Sequence, residues 1–266
     1  FFIYDAYPYS FKEYLAAQQL ELKEHWEYDT IQRSEVKRHL NEYLYYGGLP
    51  EIQSFKNKRA MLSSLYQKIY LGDICARNNI KNDRVLNILI KKMAESVKQP
   101  LSYNRLKNVI VATGSPISVP TAIDYVDYAS DSWLILPLEN EVGKLTEKEM
   151  QKKYYFVDNG LLNLFLMNSE TSLLENMVAV ELFRRYGKEN VYYLNADKEI
   201  DFIVPDEKLA IQVSYSIKDE TTYNREVPPL AKYAKAHEDW KCLLITYDEE
   251  GTEEGIPVVP VWKWLM

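Results

Sequence analysis

Glycine is scarce, at 9 of 266 residues, and no stretch is rich in proline and serine, which excludes long flexible linkers. Cysteine occurs twice, at Cys75 and Cys242, far apart and in neither CxxC nor metal-ligand spacing. That usage fits a reduced, cytoplasmic protein better than a disulfide-stapled one. The three histidines, His25, His39 and His237, are isolated, so neither a histidine metal centre nor a hydrolase triad is supported. Apolar runs such as LLIT and VVPVW are far too short to span a bilayer, no stretch reads as a signal peptide, and no membrane role is expected. A nucleotide-binding loop is missing too. Gly143-Lys144 resembles the end of one, but Leu145 stands where Ser or Thr is required and Leu138 where the earlier glycine belongs.

What is present is enough chain for a sizeable core and one to three domains. The net charge of −7 leaves no global nucleic-acid footprint, yet its distribution is uneven. Residues 68–115 carry nine Lys/Arg against three Asp/Glu, and residues 116–150 carry two Lys against seven Asp/Glu. The 22 tyrosines fall largely at core-facing positions and read as packing before base stacking.

Three segments follow. In 1–55, FFIYD reads as a strand, SFKEYLAAQQL as a helix capped by Ser10, and SEVKRHLNEYLYYG as a helix stopped by Gly47, Gly48 and Pro50. A strand starting at Phe1 without a methionine points to the C-terminal part of a longer protein. In 56–155, Met61, Leu62, Leu65, Ile69 and Leu71 fall near one helical face, as do Val85, Leu86, Leu89, Ile90, Met93 and Val97. Two short helices and the strand-like WLILPLE and KYYFVD complete a winged-helix order. Its recognition helix, 119–130, holds Asp124 and Asp127, with Asp131 just beyond, and no Lys or Arg. Carboxylates repel phosphate, so protein contacts are expected there before DNA reading. Lys91, Lys92, Arg105 and Lys107, on the preceding basic helices, are the nucleic-acid contact candidates.

Segment 156–266 runs helix, three strands, helix, two strands, with the helix 172–187 opened by Thr171 or Ser172 and Glu175 in a capping-box position. The later helix, 219–237, is expected to be interrupted at Pro228 and Pro229. This order, with an acid at Asp201, is the frame of the PD-(D/E)xK nuclease fold. That chemistry needs carboxylates on adjacent strands to hold Mg²⁺, and a lysine two residues after the second acid so that both share a face. Glu175, Asp201, Gln212 and Ser214 occupy the corresponding places. Asp201 is expected to face away from both Ile200 and Phe202, and Gln212 and Ser214 to share one face. Glutamine brings no charge and serine no ammonium, so Glu175 and Asp201 are the metal candidates of a depleted site. Lys218, Lys232 and Lys235 are the lysines that could substitute, although surface solubility explains all three.

The chain resembles the C-terminal part of bacterial and archaeal AAA-superfamily ATPases, the group whose C-terminal half is a domain of unknown function. The likeness rests on YPYSFKEYL, YLYYGGLPE, LYQKIYLGDI, YYFVDNGLLN, LLENMVAVEL and EIDFIV, in the family's order. It implies a P-loop core first, then a lid (1–55), a winged-helix-like segment (56–155) and a restriction-endonuclease-like α/β domain (156–266), a mixed α+β fold. It also implies that ATP and Mg²⁺ belong to an N-terminal part with which this region associates. Many family members are degenerate at the second acid and the lysine, which favours a genuine loss at Gln212 and Ser214. The expected function is therefore a non-catalytic region of an AAA-type ATP-binding protein that binds a protein partner or DNA, with an inactive nuclease-like domain and no cofactor of its own. A Mg²⁺-dependent DNA nuclease and a DNA-binding regulator acting through the winged helix are the alternatives.

Overall fold

The computed structural model describes residues 5–81, 83–196 and 199–266. The strand expected at FFIYD therefore falls outside the described residues, apart from Asp5, which is in no regular element. Helix α1 (Phe11–Ala17) opens on a reciprocal cap: the Ser10 N–H donates to Glu13 Oε2 at 2.8 Å, and the Glu13 N–H donates to Ser10 Oγ at 3.2 Å. Helix α2 (Thr30–Tyr46) is capped by Asp29 and stops at Gly47, whose φ of +74° suits glycine. Pro50 then supplies the first residue of α3 (Pro50–Gln53), where its missing N–H costs nothing. Helix α4 (Lys58–Lys68) widens into π-helical turns over Ile69–Ala76. Its buried stripe is Leu62, Tyr66, Tyr70 and Ile74, while Leu71 is exposed. Leu71 was expected beside Ile69, but two residues carry a helix about 200° round, to the opposite side.

The next elements are α5 (Asp83–Glu95), β1 (Leu101–Ser102), α6 (Tyr103–Ala112), α7 (Val119–Asp131), β2 (Ile135–Asn140), α8 (Leu145–Met150) and β3 (Gln151–Phe156). Val85, Leu86, Leu89, Ile90, Met93 and Val97 are all buried, as their spacing predicts. Strands β2 and β3 form an antiparallel hairpin, and β1 pairs with the far side of β3. Asp124, Asp127 and Asp131 all lie exposed on α7.

Three of the sequence stretches that carry the family resemblance meet at α9 (Asn159–Asn163). Asp158 accepts the N–H groups of Gly48 and Gly160, each at 2.8 Å, and tethers the end of α2 to the start of α9. Asn159 donates to the carbonyls of Leu44 and Leu173, at 3.0 and 2.9 Å. Asn176, fully buried on α10 (Glu170–Tyr186), clamps both backbone groups of Phe156 and donates to Asn159 Oδ1. At Gly160 a Cβ would sit 2.3 Å from the Tyr46 carbonyl oxygen, so only glycine allows this approach. Helix α10 starts at Glu170, with Ser169 in the capping position. Thr171 and Ser172 are thus inside the helix. Glu175 is a buried interior residue rather than a capping-box partner, because the helix begins a turn earlier than expected.

The remaining elements are β4 (Tyr192–Asn195), β5 (Glu199–Val204), β6 (Leu209–Ser214), α11 (Glu220–Ala236), β7 (Lys241–Thr246), β8 (Gly251–Glu253), β9 (Ile256–Pro260) and α12 (Val261–Trp264). Among the described residues the strands form one mixed sheet in the order β1-β3-β2-β4-β5-β6-β7-β9-β8. Parallel pairing of β2 with β4 joins the hairpin to the later strands, so the boundary between 155 and 156 lies inside this sheet. The fold is mixed α+β. Helix α11 covers a core of Ile200, Ala210, Val227, Leu230 and Leu244, while α10 packs with Phe202, Ile211 and Val213 in the other cluster. Helix α11 runs unbroken through Pro228 and Pro229, contrary to the expected interruption. The prolines remove two backbone donors, but burial of Val227, Leu230 and Ala231 against the sheet holds the helix through that gap. Among the described residues, no helix is long and apolar enough to cross a membrane.

Candidate functional site

Glu175, Asp201, Gln212 and Ser214 come together: all four line one cavity of about 730 Å³. Strand β6 puts Gln212 and Ser214 on its α11 side, opposite Ile211 and Val213, as alternation requires. Asp201 arrives differently from expectation. The pairing shifts from Tyr192↔Ile203 to Leu194↔Ile200, so β5 spends one more residue than β4 over this span. Ile200 and Phe202 consequently belong to different core clusters, and Asp201 lies at a bulge rather than in a regular alternation. Bulges re-aim side chains in this way.

The cation that contacts Glu175 and Asp201 comes from outside the nuclease-like segment, while Lys98 and Arg225 line the cavity itself. Lys153 on β3 is fully buried, and its Nζ lies 2.8 Å from Glu199 Oε1, 3.2 Å from Asp201 Oδ1 and 3.7 Å from Glu175 Oε1. Its ammonium lies over the Tyr193 ring, 5.5 Å from the ring centroid. Tyr155, two residues along the same strand face, donates its hydroxyl to Glu175 Oε1 at 2.8 Å. Lys218, Lys232 and Lys235 are exposed and do not line the cavity. None of these three is the lysine of the site.

The acceptors are occupied in turn. Asp201 Oδ2 accepts the Val213 N–H at 3.0 Å, while Gln212 Oε1 accepts the Asp201 N–H at 3.2 Å. The Gln212 amide donates to Glu226 Oε2 at 2.5 Å, and Glu226 also pairs with Arg225 at 2.6 Å. The Ser214 hydroxyl donates to the Ser216 carbonyl at 3.0 Å. A Mg²⁺ ion would need several free oxygens close to 2.1 Å in octahedral array. Here the two strongest candidates, Glu175 and Asp201, share an ammonium, and the glutamine carbonyl is turned to a backbone donor. The donor set as arranged does not fit the metal.

Burial alone would lower the Lys153 pKa, but Asp201, Glu175 and Glu199 outweigh it and keep the ammonium charged well beyond neutral pH. Burial, and then the Asp201 carboxylate, push Glu175 up to about 8 against the pull of Lys153, Tyr155 and Lys98. Burial also raises Glu226, with Asp201 adding to it and Gln212 and Arg225 opposing. Native Glu175 thus binds its proton more tightly than the unfolded chain does. Its contribution to stability is fullest below the ordinary carboxylate range and falls as pH rises from about 4.5 toward 8. Denaturant unfolding of wild type and Glu175→Gln across this window should show a steeper downward slope in wild type than in the variant, whose remaining slope comes from Glu226 and Asp158. Parallel curves would contradict the assignment.

Residues 37–172 match a family described as a domain of unknown function (DUF8612), slightly more than half of the chain. The chain belongs to this family. An uncharacterized protein of Methanocaldococcus jannaschii is 32% identical over 279 residues, covering 97% of this chain and 62% of its own length. An uncharacterized protein of Haemophilus influenzae is 30% identical over 270 residues, covering 98% of this chain and 64% of its own. The chain thus spans about three fifths of the length of these curated relatives. No solved structure matches it.

In this DUF8612 chain the candidate site was only partly visible beforehand. Lys153, Tyr155, Glu199 and Glu226 were missed. One signal existed: in KKYYFVD, Lys153, Tyr155 and Val157 alternate onto one strand face, which places a lysine in line with residues that prove to be buried. Lys91, Lys92, Arg105 and Lys107 stay apart from the cavity, on α5 and α6, and Lys92 pairs with Glu95 at 3.2 Å.

Proposed function

We propose that this chain is the non-catalytic C-terminal region of an AAA-type ATP-binding protein, a binding module whose nuclease-like site is inactive. The observation that carries this reading is Lys153: a buried ammonium already neutralises the carboxylates that a nuclease would present to its metal. The order α5-β1-α6-α7-β2-α8-β3 supports a winged-helix-like part with a short helix inserted in its hairpin, and α10-β4-β5-β6-α11-β7 a nuclease-like part. The three exposed aspartates of α7 favour a protein partner over DNA on that helix. ATP binding, Mg²⁺ and association with an ATPase core are assigned to other parts of a longer cytoplasmic polypeptide, in keeping with the greater length of the relatives.

Nicking of supercoiled plasmid tests the inactive site. The full chain, with Mg²⁺ or Mn²⁺, is expected to cleave no faster than Asp201→Ala. Metal-dependent nicking that the substitution abolishes would establish the nuclease instead.

A further inference from the structure

We propose that the Lys153 ammonium stands in the cation position of the carboxylate cavity, and that removing it converts the cavity into a site for a hard divalent cation such as Mn²⁺ or Mg²⁺. This rests on reading the cavity as a disabled nuclease-like site, and it identifies what disables it. The carboxylates around Nζ come from two elements, Glu199 and Asp201 on β5 and Glu175 on α10. They converge on one ammonium from two elements, as the groups of an ordinary surface ion pair do not, although with that ammonium in place no group of three or more of them among the described residues is arranged to hold a metal ion. Lys153 reaches the carboxylates from beneath: it is fully buried, while Glu175, Glu199 and Asp201 line the cavity above.

Two neighbouring strand positions carry no charge. Gln212 and Ser214 are neutral where a nuclease would carry an acid and a lysine, so one negative and one positive charge are missing together. Lys153 returns a positive charge, but below the carboxylates rather than beside the phosphate path. A divalent ion held by these carboxylates would have to share them with the ammonium, and like charges so placed repel strongly in a buried setting. Without the ammonium, Asp201 is left as a buried carboxylate, with Glu175 and the half-exposed Glu199 beside it, facing a cavity large enough to admit a hydrated cation. Oxygen-only donors select hard cations.

Thermal unfolding of the full chain with and without Mn²⁺ tests this. The wild-type midpoint should not move. Lys153→Ala should unfold at a lower temperature and regain roughly 5–10 °C when Mn²⁺ exceeds its dissociation constant about a hundredfold. Adding Asp201→Asn to that variant should abolish the rise. If Lys153→Ala does not fold even with Mn²⁺, Lys153→Gln decides, because its neutral amide still reaches toward the carboxylates and the same rise is expected. A folded lysine variant that ignores Mn²⁺, or a wild-type midpoint that rises with Mn²⁺ and depends on Asp201, overturns the proposal. Insensitive variants beside an inert wild type would overturn the stand-in role alone, whereas Asp201-dependent nicking by wild type would overturn the disabled-site reading beneath it.

Discussion

Lys153→Met should destabilise the protein by about 3–5 kcal/mol, read as a lowered urea midpoint with the slope unchanged. Methionine keeps an unbranched apolar side chain of similar length and removes the charge, so packing loss contributes little. Burying a lysine is costly in itself, and replacing a whole buried ion cluster by apolar residues is often nearly neutral. The loss arises because one partner goes and the others stay. Glu199 is half-exposed and can turn to water, and Glu175 can hold its proton, but Asp201 is buried and pinned to the Val213 N–H. Asp201 is therefore the stranded charge. Adding Asp201→Asn to Lys153→Met should recover part of the loss, a coupling of about 0.5–3 kcal/mol. A change within about 0.5 kcal/mol for Lys153→Met, the range of ordinary surface substitutions, would show that the ammonium is not the counter-ion it is argued to be.

The second large effect is expected at a residue that does not line the cavity. Asp158→Ala strands the N–H groups of Gly48 and Gly160 in a buried turn, at about 1–3 kcal/mol per orphaned donor, so about 2–6 kcal/mol together. The loss should exceed that of Asp158→Asn, whose carbonyl can still accept one of the two. Asp158 joins the end of α2 to the start of α9, and Asn159 and Asn176 extend the same network to Phe156 and α10. Hydrogen exchange should report faster opening at Gly48 and Gly160 in the alanine variant. Unchanged protection there, with unchanged stability, would remove Asp158 from the account.

These two networks also show how far the sequence could be read. Local rules worked where one element determines its own outcome. The apolar spacing of α5 placed all six of its expected core residues, Ser10 capped α1, and Gly47 with Pro50 ended α2. Alternation along β6 placed Gln212 and Ser214 together. The same rules failed where a neighbour intervenes. A bulge against β4 split Ile200 from Phe202, packing on the sheet carried α11 through Pro228 and Pro229, and α10 begins at Glu170, before Thr171.

Lys153 was the hardest to see because it lies 48 residues before Asp201, in a strand read as a wing. The pairing of β2 with β4, which merges that hairpin into the larger sheet, brings it to Glu199 and Asp201, and α10 packing on β3 brings it to Glu175. Two register pairs between distant segments leave no mark that periodicity can detect.

The central claim is that an internal ammonium, and not a divalent cation, neutralises this cavity. Electron paramagnetic resonance of Mn²⁺ titrated into the wild-type chain tests it most directly. The account predicts the spectrum of free aqueous Mn²⁺, with no bound fraction sensitive to Asp201→Asn. A bound fraction approaching one Mn²⁺ per chain, lost on that substitution, would contradict it.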